Sequence, residues 1–253
     1  MTTSLITHCG ARVVTRPELD LVEPPPATAT WFPVKHSLVI DTVSQSLQAA
    51  GFQVERMKFA LSRGDARLFA TMDLASALAT GVNLAVGIRN STDKSLPLGF
   101  VAGARVFVCD NMAFRSELLV TRKHTRNGAT RFQEAICQAT QALVQFREIE
   151  SQRIRRFQEL ELSDVRADSV MLRAYEHEVV SHRLLPQVIK EWRTPSFEEF
   201  SGRTAWSLLN AFTAVLGGRL KTNPQQFAAL TMRLQDLLDR ELFPVAAIPA
   251  LAV

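Results

Sequence analysis

The chain has 253 residues, 47% of them hydrophobic and 21% charged, which is enough apolar material for one large domain or two small ones and too much for a disordered chain. No stretch reaches the roughly 18 to 20 uninterrupted apolar residues of a membrane span, and the opening MTTSLITHCG lacks the basic-then-apolar pattern of a signal peptide, so a cytoplasmic protein without a membrane partner is expected. Twenty-nine Lys and Arg against 25 Asp and Glu leave a net charge of +4, too mild to identify a partner by itself.

Residues 1–35 are interrupted by Pro17, the run Pro24-Pro25-Pro26 and Pro33. Prolines bar helix and favour extended geometry, which predicts an arm lying on the domain. From His36 to Ala50 the apolar residues Val39, Val43, Leu47 and Ala50 recur every three or four positions before Gly51, the spacing of a helix with a glycine at its end.

The pattern then turns to period two or to short apolar runs over Phe52 to Leu61, Arg67 to Leu74, Val82 to Ile88, Leu98 to Val108 and Phe114 to Val120, which predicts about five strands. The break Ser62-Arg63-Gly64-Asp65 has the length and the glycine of a hairpin turn. No long helix fits between these strands, which argues for a mostly antiparallel sheet in a core over residues 36–127 and against a Rossmann-type dinucleotide fold.

Residues 128–253 read as a helical half packed on or beside that core. Phe132, Ile136, Ala139, Leu143 and Phe146 follow a 4-3-4-3 rhythm in a helix predicted to run past Phe157, with a solvated polar surface from Gln145 to Arg156. Shorter helices are predicted over Asp168 to Val180, Leu184 to Trp192, Thr204 to Leu216 and Pro224 to Leu242, the last with Asn223 and Pro224 as a capping pair. The fold class is α+β.

Three polar clusters fall at strand ends. Arg89-Asn90-Ser91-Thr92-Asp93-Lys94 and Cys109-Asp110-Asn111 are good turn chemistry, and would also present Asn90, Asp93, Lys94, Asp110 and Asn111 to a ligand if the turns shared one edge. Arg122-Lys123-His124-Thr125-Arg126-Asn127 stands next to a predicted helix N-terminus, where free N–H groups and the helix dipole attract anions. Between Arg115 and Arg131 the bases Arg115, Arg122, Lys123, Arg126 and Arg131 face only Glu117, an excess of four positive charges equal to that of the whole chain.

Cys9, Cys109 and Cys137 are odd in number and widely spaced, fitting neither a disulfide framework nor a zinc site. Asp110 would oppose a thiolate at Cys109. The five histidines form no HExxH, and no GxSxG, GKS or GKT occurs. No metal site is expected, and no cofactor is identified.

The stretch VGIRNSTDKSLPLGFVAGARVFVCDNMAF from Val86 to Phe114, followed by TRKHTRN from Thr121 to Asn127, resembles a bacterial family of phage- and plasmid-like proteins, domain of unknown function 932. Its members carry an Asn-Ser-His-Asp-type turn, a strand pair, a Cys-x-Asn turn and a basic Lys-His-Thr element. Thr204-Ala205-Trp206 through Asn210 and Thr213 resembles its C-terminal helix. The likeness covers Val82 to Thr213, and Thr92 stands where the family tends to have His. It implies a mobile-element setting and no particular chemistry.

Two functions follow as expectations. The first is a nucleic-acid-associated protein, oligomeric, binding DNA phosphates through Arg115, Arg122, Lys123, Arg126 and Arg131 with help from Asn90, Lys94 and Asn111, and from Arg153, Arg155 and Arg156. The alternative is an enzyme acting on an anionic or nucleotide substrate, with His124 as acid or base and Asp93 or Asp110 orienting it.

Overall fold

A computed structural model describes residues 11–79, 81–106, 112–217 and 224–243, with side chains for all of these except 104–106, 112–118, 224, 225 and 228. Six strands, β1 (Arg12–Val14), β2 (Val54–Leu61), β3 (Arg67–Ala79), β4 (Val82–Ser91), β5 (Leu98–Val106) and β6 (Met112–Arg122), pair in sequence order, and every pair is antiparallel. Helices α1 (Arg16–Asp20) and α2 (His36–Ala49) precede β2. Helices α3 (Gly128–Glu159), α4 (Asp164–Glu176), α5 (Leu185–Arg193), α6 (Ala205–Gly217) and α7 (Pro224–Leu242) follow the sheet. Among the described residues no helix is long and apolar enough to cross a membrane.

The period-two reading locates the strands because one face of the sheet is mostly apolar. Leu68, Ala70, Met72 and Leu74 of β3 share that face with Val82, Leu84, Val86 and Ile88 of β4, all buried. The 3.6-period stripes of α2 and α3 meet it through Val39, Val43 and Leu47 and through Phe132, Ile136, Leu143 and Phe146. Each such side chain, fully buried, contributes about 1.5–3 kcal/mol.

Two expectations change. Residues 1–35 are not uniformly extended: β1 adds a sixth strand beside β2, and Arg16–Asp20 is helical with Pro17 in its first turn. Proline is tolerated there because the first turn's N–H groups have no helical partner to lose, and Thr15 and Glu18 close a reciprocal capping box. The helix expected to begin at Asp168 begins at Asp164, after Ser163 accepts a bond from the Arg166 N–H.

The surface from Gln145 to Arg156 is not wholly solvated either. Glu150 and Arg153 continue the spacing of Phe146 and Phe157, so they share the buried face of α3. Arg153 is 3% exposed, and its Nε donates to both Asp239 carboxylate oxygens at 2.9 and 3.1 Å. It also bonds Glu150 and lies 4.2 Å from the Phe157 ring centroid. Arg153 is therefore an internal strut. Arg155 remains exposed, and Arg156 covers the Phe243 ring.

Candidate nucleic-acid interface

Strand register decides which turns meet. Arg67 pairs with Ser91, Arg89 with Gly99, and Leu98 with Arg122. The segments 62–66, 92–97 and 123–127 consequently leave the sheet at one end, and residues near 90 are brought to residues near 124. Arg105 and Met112 pair at the opposite end. Cys109, Asp110 and Asn111 lie outside the described residues, as does the side chain of Arg115, which belongs to β6.

Asn90 is fully buried where β4 reaches α2. Its Nδ2 donates to the Val34 carbonyl at 2.8 Å and to His36 Nδ1 at 2.9 Å, while His36 Nε2 lies 3.0 Å from the Asp65 carbonyl. A carbonyl only accepts, so Nε2 carries the proton and Nδ1 accepts from Asn90. Burial pulls the His36 pKa below its ordinary value, outweighing the Asp65 carbonyl, which favours the charged ring. Asn90 therefore serves as a structural clamp, its Oδ1 buried without a partner.

Asp93 is exposed, accepting from Arg67 Nε at 2.8 Å and from the Ser95 backbone N–H at 3.0 Å, with the Ser95 hydroxyl also bonded to it. Burial alone would raise its pKa, but these donors hold it below the usual carboxylate value. Its neighbour Lys94 has a φ of 67°, in the left-handed region, and its Nζ stands 5.2 Å from the centroid of the Trp31 ring.

Trp31 and Phe32 come from the arm, where the reading of the sequence found no site residue. The Phe32 N–H donates to the His124 carbonyl at 3.0 Å, pinning the arm to the β6–α3 loop. The Trp31 and His124 rings lie 6.4 Å apart, tilted by 59°, and the Arg126 guanidinium sits 5.7 Å from the Phe32 centroid. The available signal was an adjacent Trp-Phe pair in a proline-rich stretch with no helical or strand period.

His124 is 6% exposed, and neither ring nitrogen has a partner at hydrogen-bonding geometry. Burial lowers its pKa; the carbonyls of Leu96 and Phe32 lie toward the ring and oppose the shift without reversing it. It faces the aromatic arm and forms no hydrogen bond or ion pair with Asp93.

Arg122, Lys123, Arg126 and Arg131, by contrast, are all exposed, and among the described residues none has a carboxylate partner. They surround the start of α3, whose capping residue Asn127 makes no side-chain bond to the helix. The turn is tight: Thr125 N–H donates to the Lys123 carbonyl, Gly128 N–H to that of Thr125, and a Cβ on Gly128 would stand 2.5 Å from the Lys123 oxygen. Only glycine fits there. Exposed cations, free helix-end N–H groups and two aromatic rings therefore share one rim.

Residues 28–237 match the family model described as a domain of unknown function (DUF932). The match starts in the aromatic arm and ends in α7, well beyond the Val82 to Thr213 span of the sequence likeness. No curated protein and no solved structure matches the chain.

Proposed function

The chain belongs to the DUF932 family, and from the geometry of the β6–α3 rim we propose that it binds nucleic acid by its phosphates. The observation that supports this is the exposure of Arg122, Lys123, Arg126 and Arg131 with no carboxylate partner among the described residues, around an uncapped helix start. Surface cations normally share their field with nearby acids. Four within ten residues with no carboxylate partner among the described residues favour a polyanion, because each phosphate they neutralise releases counterions.

Trp31 and Phe32 favour a single strand over a duplex. Flat rings beside a cationic track are the means by which single-strand binders hold bases whose faces are free. The enzymatic alternative finds less support: the His124 ring is buried, and Asp93 is engaged by Arg67 and Ser95.

The test is an anisotropy titration with single- and double-stranded DNA at several salt concentrations. Four phosphate contacts on a single strand give a log–log salt slope near about −3. Absence of binding at low salt, or affinity indifferent to salt, contradicts the reading.

A further inference from the structure

The sheet face turned away from α2 and α3 carries a second cationic feature. Register sets Phe69, Arg89, Gly99 and Thr121 in one row across β3, β4, β5 and β6, one or two residues inside the strand ends where the rim begins. The next rows pair Gly87 with Val101 and Ala85 with Gly103, a floor of small residues in which Gly87, Ala85 and Gly103 are buried.

Arg89 lies over this floor. Its Cγ and Nε are each 2.7 Å from the point where a Cβ on Gly99 would stand, so the side chain crosses β5 only because residue 99 has none. It is half-buried, and among the described residues it has neither an ion pair nor a side-chain hydrogen bond. Burial pulls its pKa below the ordinary arginine value with nothing opposing the shift, although a guanidinium stays protonated. An uncompensated, partly desolvated cation destabilises the free protein and becomes favourable when an anion meets it.

We infer that Arg89 is a phosphate-binding residue, taking a phosphate of the same strand that the rim holds where that strand passes the row of Arg89 and Thr121. This rests on the nucleic-acid reading above. Thr121, exposed in the same row beside Arg122, connects the two surfaces.

The experiment measures binding of a fluorescent oligothymidylate to the wild type and to Arg89→Gln, Arg89→Lys and Gly99→Ala over a salt series, with thermal melts of each protein without DNA. Arg89→Gln should weaken binding and lower the magnitude of the salt slope by about 0.7, one single-strand phosphate contact, while melting no lower than the wild type because the unpaired charge is gone. Arg89→Lys should keep the slope. Gly99→Ala should weaken binding with the charge retained, since its Cβ displaces the Arg89 side chain. An Arg89→Gln protein with wild-type affinity and slope overturns the inference and leaves the rim standing, and one that melts far below the wild type gives Arg89 a packing role and overturns it too. A wild-type protein that binds nothing at low salt overturns both.

Discussion

Asn90 Nδ2 lies 2.9 Å from His36 Nδ1, a bond that ties the end of β4 to the first turn of α2 and fixes the imidazole in its neutral Nε2–H form. With the second amide hydrogen on the Val34 carbonyl, one side chain holds the arm, the helix and the sheet together. Asn90→Ala leaves two buried acceptors without a donor, at about 1–3 kcal/mol each. Urea unfolding should show a loss of about 2–6 kcal/mol. Asn90→Asp removes the donors but offers a carboxylate, so the His36 pKa should rise above its wild-type value, which imidazole NMR would report.

Stability should fall in acid. His36 and His124 both have folded pKa values below the ordinary 6.5. As pH drops below about 6.5 the unfolded chain binds protons that the folded chain refuses, so stability is full above that pH and declines toward the folded pKa values, by at most about 1.4 kcal/mol per pH unit for each ring. His124→Phe removes two unpartnered buried nitrogens and should roughly halve the decline between pH 6.5 and 5 in melts across that range. A decline of unchanged steepness would remove His124 from the account.

Much of this architecture was legible because the sheet face toward α2 and α3 is mostly apolar. The strands and α3 announce themselves where apolar residues keep period two or 3.6, and Gly51 and Pro224 mark element ends, while Asn223 lies outside the described residues. The arm was misread because Pro17 was weighed as a helix breaker without its place in a first turn, and because a three-residue strand such as β1 carries no period. Within the candidate site, the charge excess near Arg122 could be counted, but burial of His124 and the approach of Trp31 and Phe32 depend on tertiary closure. A meander puts consecutive connections at opposite ends, so a reading of strands alone already separates the Arg105–Met112 end from the end carrying Asn90 and Arg122. Glu150 and Arg153 show the opposite failure: a count of charges reads a wet surface, while their spacing from Phe146 and Phe157 gives the buried face.

Removal of Arg153 should unfold more than it disarms. Arg153→Ala removes the guanidinium that the Glu150 and Asp239 carboxylates share and should cost about 3–5 kcal/mol, whereas replacing Arg153 and Glu150 together by Met and Leu should cost less, because the deeply buried carboxylate goes with the guanidinium while Asp239 is part-exposed. Denaturation of the single and double variants provides the check. DNA affinity of the folded Arg153 variant should match the wild type.

Gly128→Ala tests the rim's backbone. Its Cβ would meet the Lys123 carbonyl at 2.5 Å, a main-chain contact that no rotamer change relieves. A loss of about 1–3 kcal/mol in stability is expected, with weaker DNA binding because Lys123, His124 and Arg126 share the displaced loop.

The central claim is that the exposed cations at the start of α3 contact phosphates, and the salt dependence of oligothymidylate binding by the Arg122→Gln/Arg126→Gln double variant tests it most directly. Two lost single-strand contacts should reduce the magnitude of the slope by about 1.4 relative to the wild type, with the melting temperature preserved because both side chains are solvent-exposed. An unchanged slope in a folded double variant would contradict the assignment of phosphate binding to this rim.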